Sequence, residues 1–169
     1  PRYEFDKCVK RYNGNRHAIE FKCRDQFMVM SFAQFTGQDS LRSIDATLVA
    51  LSFKLYSSGI KYIQRSTLAH INGTKDWRIY HDFGQILIAQ ARYRHEPSRL
   101  DVDGIVYAFD SSTMKLCLQL CPWARLHHDK GGVKMHTLLD LRGTIPTFIY
   151  LTEAAVHDSK AMSLVPVEP

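Results

Sequence analysis

The spacing of apolar residues changes near Pro97, and this change limits the possible fold more than any other feature of the 169-residue chain. Before Pro97, apolar residues recur at helical intervals, as Ile44 and Leu48 do, and so share one face of an amphipathic helix. After it, the chain consists of β-type runs separated by turn residues. Because proline ends a helix, we predict one domain over residues 1–97 and a second over residues 98–169.

The first domain is predicted to be entirely helical. One helix is expected over Gln26–Phe35, and Asp39 or Ser40 is expected to cap the next, because their side-chain oxygens can accept its first N–H groups. The last helix of the domain is predicted to place an apolar stripe toward the core. Its residues are Trp77, Tyr80, Phe83 or Gly84, Leu87 and Ala91.

Two helices around a glycine-containing turn are predicted near the end of this domain. Ser66 occupies the expected N-cap of the first, Asn72–Thr74 form the turn, and Asp76 starts the second. This arrangement is the outline of a helix-turn-helix DNA-binding motif. Helix N-termini with nearby cations bind phosphate, which indicates four candidate DNA-binding residues. They are Arg65, Ser66, Lys75 and Arg78.

The formal net charge of +5 is unevenly distributed along the chain. Residues 1–99 contain 16 Lys or Arg and 9 Asp or Glu, whereas residues 100–169 contain 6 and 8. Cationic side chains gain affinity for DNA by releasing counterions from its phosphates. The distribution therefore favours a basic DNA-binding domain followed by an acidic, metal-binding one, and a basic face that is merely solvated is the alternative.

No run approaches the roughly 20 apolar residues of a membrane-spanning helix, and the N-terminus shows no signal-peptide pattern, so we expect a cytoplasmic protein without a membrane partner. The four cysteines lack the paired spacing of a zinc site, and disulfides are rare in the cytoplasm. We expect free thiols, with metal binding by Cys117, Cys121 and a nearby histidine as the alternative.

The second domain begins with three β-type runs, Val106–Thr113, Lys130–Asp140 and Ile145–Leu151. Arg142–Thr144 is predicted to join the last two as a tight hairpin, so the strands should form an antiparallel meander. A helix is expected to open at His157 and Asp158. Three antiparallel strands followed by a helix form the first half of a ribonuclease-H-like fold. The predicted fold class is therefore α+β.

Asp110 is the candidate catalytic and metal-binding residue of the first strand. Burying a lone carboxylate is costly, so an aspartate in an apolar strand is expected to be paired or to hold a metal ion. The hydroxyl groups of Ser111–Thr113 could support that carboxylate.

Several segments together resemble the IS4-type DDE transposases of bacterial insertion sequences, and the resemblance covers nearly the whole chain. In the second domain they are Tyr107–Thr113, Pro122–Ala124, Lys130–Asp140, Ile145–Phe148 and Val156–Asp158. In the first domain, Tyr12–Asn15, Phe27–Phe32, Ser40–Ile44 and Arg65–Ala69 are similar to the N-terminal domain of this transposase branch.

The resemblance implies DNA strand cleavage and transfer with two Mg²⁺ or Mn²⁺ ions roughly 4 Å apart. It assigns Asp110 as the first acid of the DDE triad and places the second aspartate and the glutamate beyond residue 169. Asp140 is expected to close a strand and Asp158 to cap a helix. We therefore expect this chain to be inactive alone and to bind metal weakly.

Lys130, Lys134 and His136 are further candidate DNA-binding residues, since Lys134 and His136 should share one face of their strand. Solvated side chains at a strand edge are the alternative. His127–Asp129 is predicted to be a loop and not a metal site.

The leading hypothesis is thus part of a transposase that binds double-stranded DNA in the bacterial cytoplasm, associated with the nucleoid. The second hypothesis is a noncatalytic DNA-binding or multimerising protein derived from a transposase. The third is a helical interaction domain without a nucleic-acid role. An unpaired sheet edge would favour a homodimer.

Overall fold

The computed structural model describes residues 1–94, 106–116, 125–127, 130–141 and 145–165. The chain divides into two compact units, Pro1–Leu87 and Ile88–Pro169, called here the helical unit and the sheet unit. Helices followed by an antiparallel sheet make the fold α+β, as predicted. The domain boundary expected after residue 97 lies outside the described residues.

The helical unit contains helices that follow one another through short links. They are α1 (Arg2–Arg11), α2 (Cys23–Phe35), α3 (Leu41–Ala50), α4 (Ser52–Leu55), a 3₁₀ turn (Tyr56–Ser58), α5 (Arg65–Thr74) and α6 (Arg78–Arg94), the last of which continues beyond the unit. Where the chain is described, no helix has both the length and the apolar character needed to cross a bilayer.

The cap of α3 was predicted correctly, whereas that of α5 was not. The Ser43 N–H donates to Ser40 Oγ at 3.1 Å, which satisfies one of the unpaired N–H groups at the start of α3. Helix α5 instead begins at Arg65, and its N-cap residue is Gln64, which has an extended backbone. Ser66 therefore lies within the first turn of the helix. Asn72–Thr74 also belong to this helix, and the link to α6 is Lys75–Trp77.

The helical unit buries its apolar side chains in two separate clusters. The first joins α2, α3, α4 and α5 and contains Val29, Ala33, Ile44, Leu48, Leu55, Ile63, Leu68 and Ile71. The second joins α1, α2 and α6 and contains Phe5, Cys8, Val9, Cys23, Ile79 and Phe83. Helices α5 and α6 follow one another through a short link, but each buries its apolar residues in a different cluster.

The stripe predicted for α6 is wrong at both ends, because Trp77, Leu87 and Ala91 are exposed. Trp77 is 66% exposed and precedes the helix, whereas Ile79 is fully buried and Phe83, four residues later, is also buried. Residues four apart lie on one helix face, so the core face of α6 runs through Ile79 and Phe83.

The loop after α1 holds the second cluster together. The Lys75 ammonium donates to the Gly14 carbonyl oxygen at 2.6 Å, and the Cys23 N–H donates to Asn15 Oδ1 at 2.9 Å. A Cβ atom on Gly14 would lie 2.8 Å from Cys23 Sγ and closer still to Ile79 Cδ1. Only glycine therefore allows this close approach without movement of its neighbours.

The sheet unit is built around one central strand. Its elements are β1 (Tyr107–Leu116), β2 (Arg125–His127), β3 (Lys130–Asp140), β4 (Ile145–Glu153) and α7 (Asp158–Met162). Strand β3 pairs antiparallel with β1, β4 and the short β2, so β1, β3 and β4 have the expected meander order. The hairpin predicted at 142–144 lies outside the described residues.

The register between β1 and β3 decides which side chains can meet. Asp110 lies opposite Thr137, whereas Ser111 lies opposite His136. Directly paired residues share a face and neighbours along a strand alternate, so Asp110 lies on the face opposite to Lys134 and His136.

Candidate carboxylate site and nucleic-acid interface

Asp110 lies in the middle of β1 with its side chain exposed. The expectation that its strand position would bury the carboxylate is therefore wrong, since an exposed carboxylate keeps its hydration and requires no ion to offset a burial cost. Ser112 follows on the same face and is also exposed. The position leaves Asp110 accessible to an external ligand.

The described residues do not complete a metal site around Asp110. Among them, no group of three or more His, Cys, Asp or Glu residues is placed to hold a metal ion. Magnesium needs near-octahedral oxygen coordination and is held by carboxylates together with water or phosphate. Asp140 ends β3 and is buried, as expected for a residue that closes a strand.

The cysteines are described only in the helical unit. Cys8 and Cys23 are free and buried, as predicted. Burial raises the pKa of both thiols, which keeps them protonated at neutral pH. Cys117, Cys121, His128 and Asp129 lie outside the described residues. His127 ends strand β2, so the loop predicted over 127–129 is wrong at its first residue.

A polar cluster lies on the other face of the sheet, and sequence analysis did not assemble it. This cluster, called here the His136 cluster, consists of Ser111, Lys134, His136, Thr152 and Asp158. The Lys134 ammonium donates to the Val156 carbonyl at 2.9 Å and to Asp158 Oδ1 at 3.2 Å. These bonds tie the first turn of α7 to the central strand. Asp158 follows the N-cap residue His157 instead of capping the helix itself.

The hydrogen bonds of the cluster define the tautomer of His136. The Thr152 hydroxyl donates to the Glu153 carbonyl at 3.0 Å, so it accepts from His136 Nε2 at 2.9 Å. In neutral His136 the Nδ1 atom is then an acceptor that faces Asp158 Oδ1 at 3.5 Å. Two acceptors cannot bond to each other, which explains why this buried nitrogen has no hydrogen-bond partner.

The electrostatics of the cluster favour a neutral histidine beside a charged aspartate. Burial lowers the pKa of His136, and the Lys134 charge acts in the same direction while Asp158 opposes it. Hydrogen bonds from Lys134 and Ser111 lower the pKa of Asp158. His136 is fully buried and the Lys134 ammonium is bonded internally, so neither offers a free cation to phosphate in this structure. Their DNA contacts stay predictions, and the Lys130 side chain lies outside the description.

The four predicted DNA-binding residues of the helical unit lie at the two ends of α5. Arg65 and Ser66 are exposed in its first turn, whereas Lys75 follows its last residue. A helix of ten residues is about 15 Å long, so the two pairs are well separated. The Arg78 guanidinium donates to Asp76 Oδ2 at 2.7 Å and lies over the Tyr12 ring.

Arg65 and Arg78 therefore differ as candidates for phosphate binding. Hydrogen bonds from Arg78 lower the pKa of Asp76, which keeps the pair ionised and the guanidinium occupied. Arg65 has no hydrogen-bond or ion-pair partner within the part of the chain that the structure describes. The α5 N-terminus also lacks a side-chain cap, which leaves its N–H groups accessible to an anion.

A groove between α2, α5 and α6 is the second feature that sequence analysis missed. Its volume is about 410 Å³, and the residues that matter for its chemistry are Gln26, Met30, Asn72, Lys75, Trp77 and Tyr80. Sequence analysis placed Trp77 on the core-facing stripe of α6 and therefore did not predict that it lines a groove. The available signal was Gln26, an amide three residues before Val29 on the buried side of α2.

One comparison with known proteins found a match. A family model described as a domain of unknown function, DUF4372, matches residues 1–61, and this domain is found in transposase-like proteins. The match covers α1 to α4 and ends shortly before α5. No curated protein and no solved structure matched the chain.

Proposed function

We propose that this chain binds double-stranded DNA as part of an IS4-type DDE transposase, at the ends of an insertion sequence. The main support is the match of residues 1–61 to a domain found in transposase-like proteins. The excess of cations in residues 1–99 and the antiparallel meander that carries an exposed Asp110 agree with the proposal.

The N-terminus of α5 is the proposed phosphate contact. Its uncapped N–H groups carry the positive end of the helix dipole, and Arg65 adds an unpaired charge in the same turn. Ser66 can donate a hydroxyl hydrogen to the same phosphate. Arg78 should contribute less, because it would first have to leave Asp76.

Asp110 is proposed as one carboxylate ligand of the two Mg²⁺ or Mn²⁺ ions that the resemblance to IS4-type DDE transposases implies. The ions would supply activation of the attacking oxygen and stabilisation of the leaving oxygen. The described residues do not complete such a site, so the activity proposed for this chain is DNA binding and not cleavage.

The alternative function is a noncatalytic DNA-binding or multimerising protein derived from a transposase. It is favoured by one observation: within the described residues, β1 pairs only with β3, although it is ten residues long. An unpaired strand edge is a template for pairing with another chain. Light scattering across a range of concentrations would detect the resulting homodimer.

The DNA-binding proposal is tested by fluorescence anisotropy with a labelled mixed-sequence duplex at roughly 50 mM and 200 mM salt. We expect binding to weaken steeply with salt, and Arg65→Ala to weaken it further and to reduce the salt slope by about one. Arg2→Ala is the matched control, since it removes the same charge from an exposed position on α1. Salt-independent binding, or equal losses in the two variants, would refute this interface.

A further inference from the structure

The groove between α2, α5 and α6 contains a directional chain of hydrogen bonds. The Tyr80 hydroxyl donates to Gln26 Oε1 at 2.6 Å, and Gln26 Nε2 donates to Asn72 Oδ1 at 2.6 Å. Burial raises the pKa of Tyr80, which keeps its hydroxyl protonated as the donor. Each member thus determines the orientation of the next, and the Asn72 amide nitrogen is the free end.

The Asn72 amide is a donor without a strong acceptor. Its Nδ2 atom contacts Met30 Sδ at 3.7 Å, and a thioether sulfur is a weak acceptor. A carbonyl oxygen of a ligand in the groove would be a better partner. The groove therefore offers a hydrogen-bond donor, Asn72 Nδ2, to an acceptor atom of a ligand.

Aromatic residues supply another part of the groove lining, beside Ser31 and Gln34. Phe27 and Tyr80 line it, and the exposed Trp77 ring stands beside them. Flat aromatic surfaces bind planar rings by stacking, and every nucleobase offers such a face. An exposed tryptophan next to a half-buried polar network is typical of a binding site and not of a core.

The charge beside the groove suits a nucleic-acid backbone. The Lys75 ammonium lies in the groove wall and is bonded to the neutral Gly14 carbonyl, so its positive charge is not cancelled. A base that enters the groove would bring its phosphates toward this cation.

We propose that this groove binds one unstacked DNA base that presents a carbonyl oxygen to the Asn72 amide and a ring face to Trp77. Thymine, guanine and cytosine carry such an oxygen, whereas adenine does not. The inference rests on the proposed function, because it takes DNA as the partner. It adds base recognition at a distorted or unpaired position to the phosphate contact at α5.

The test compares four short duplexes that differ at one central position. This position is fully paired, carries an unpaired thymine, carries an unpaired adenine, or is abasic. We expect the chain to bind the unpaired thymine about tenfold more tightly than the abasic site, because stacking on an aromatic side chain is lost in the latter. An unpaired adenine should bind less tightly than thymine. Trp77→Ala should remove the preference over the abasic duplex, and Asn72→Asp, which cannot donate, should remove the preference for thymine over adenine.

Two controls separate the groove from general effects. Phe53→Ala removes an aromatic side chain that is 93% exposed outside the groove, and it should keep the preference. Trp77→Phe keeps an aromatic face and should retain part of it, with far-UV circular dichroism as the check on folding. In a Trp123→Phe background, the thymine bulge should quench Trp77 fluorescence more than the abasic duplex does.

The outcomes are distinguishable. Equal binding of the paired, bulged and abasic duplexes would overturn base recognition and leave the DNA-binding proposal intact. An unchanged preference in Trp77→Ala would likewise overturn the groove as the site. No binding to any of the duplexes would overturn both proposals.

Discussion

The two units stabilise their buried parts differently. The helical unit packs apolar side chains in two clusters. It also buries the polar side chain of Gln26. The sheet unit buries the polar His136 and Asp140 beside a few apolar residues such as Val133 and Leu138. Apolar packing is insensitive to pH, whereas a buried titratable group links stability to it.

The same contrast applies to the charged side chains. In the sheet unit, Lys134 and Asp158 are bonded to each other and hold α7 to β3. In the helical unit, Arg65 projects into solvent from an uncapped helix end. The helical unit therefore has charge to offer a partner, while the His136 cluster uses its charges within the fold.

The largest effect should follow from removing apolar packing in the helical unit. Leu68→Ala should lower the free energy of unfolding by about 2–5 kcal/mol, because Leu68 is almost fully buried in the first cluster. Urea unfolding followed by Trp77 fluorescence in a Trp123→Phe background measures this unit. Leu87→Ala is the matched control, since Leu87 is partly exposed and should cost much less. Equal costs would mean that Leu68 does not belong to a packed core.

A smaller but sharper effect should follow from adding one methyl group at Gly14. Gly14→Ala should destabilise the helical unit by about 1–3 kcal/mol, because its Cβ would collide with Cys23 and Ile79. The same fluorescence-detected unfolding measures it. Gly84→Ala, where a Cβ meets nothing within 4 Å, should instead stabilise α6 by about 0.5–1 kcal/mol. Effects of the same sign in the two variants would contradict this packing.

The smallest effect should be a pH dependence of the sheet unit in the range in which histidine titrates. The folded pKa of His136 is lowered by burial, so the unfolded chain binds more protons below its usual pKa of about 6.5. Stability should be fully present above that value and should fall as pH decreases from about 7 to 5. Hydrogen exchange of the β3 amides, measured at each pH, follows the stability of this unit.

The matched variants separate this effect from general acid sensitivity. His136→Gln should flatten the pH dependence, because glutamine does not titrate. His70→Gln, at an exposed position of α5, should leave it unchanged. A pH dependence that persists in His136→Gln would show that other groups cause it.

Much of the fold could be predicted from local patterns. The helix over Gln26–Phe35 was confirmed as α2, and the predicted strands were confirmed as β1, β3 and β4. Hydrophobic periodicity marks these elements in the sequence. A clear cap residue, Ser40, marks the start of α3 in the same way. Ser66 is not the cap of α5 because Gln64 adopts the extended backbone of an N-cap residue. Glutamine is not among the preferred N-cap residues, so the sequence did not indicate this position.

The candidate sites were less predictable, because they depend on contacts distant in sequence. The face on which Asp110 lies follows from its pairing with Thr137, which no local pattern contains. The bond between Lys134 and Asp158 joins residues 24 positions apart, and that between Gln26 and Asn72 joins residues 46 apart. Trp77 was misassigned because its exposure depends on which face of α6 packs against α1 and α2.

The sequence by itself determined the α+β order of elements, the uneven charge and the position of Asp110 on the first strand, since these depend on residue type and local spacing. Tertiary structure alone decided that His136 is buried beside Asp158, that Gln26 bonds to Asn72, and that Trp77 borders a groove. The physical reason is that burial, pairing and cavity shape are set by side chains brought together from different elements, which local periodicity does not encode.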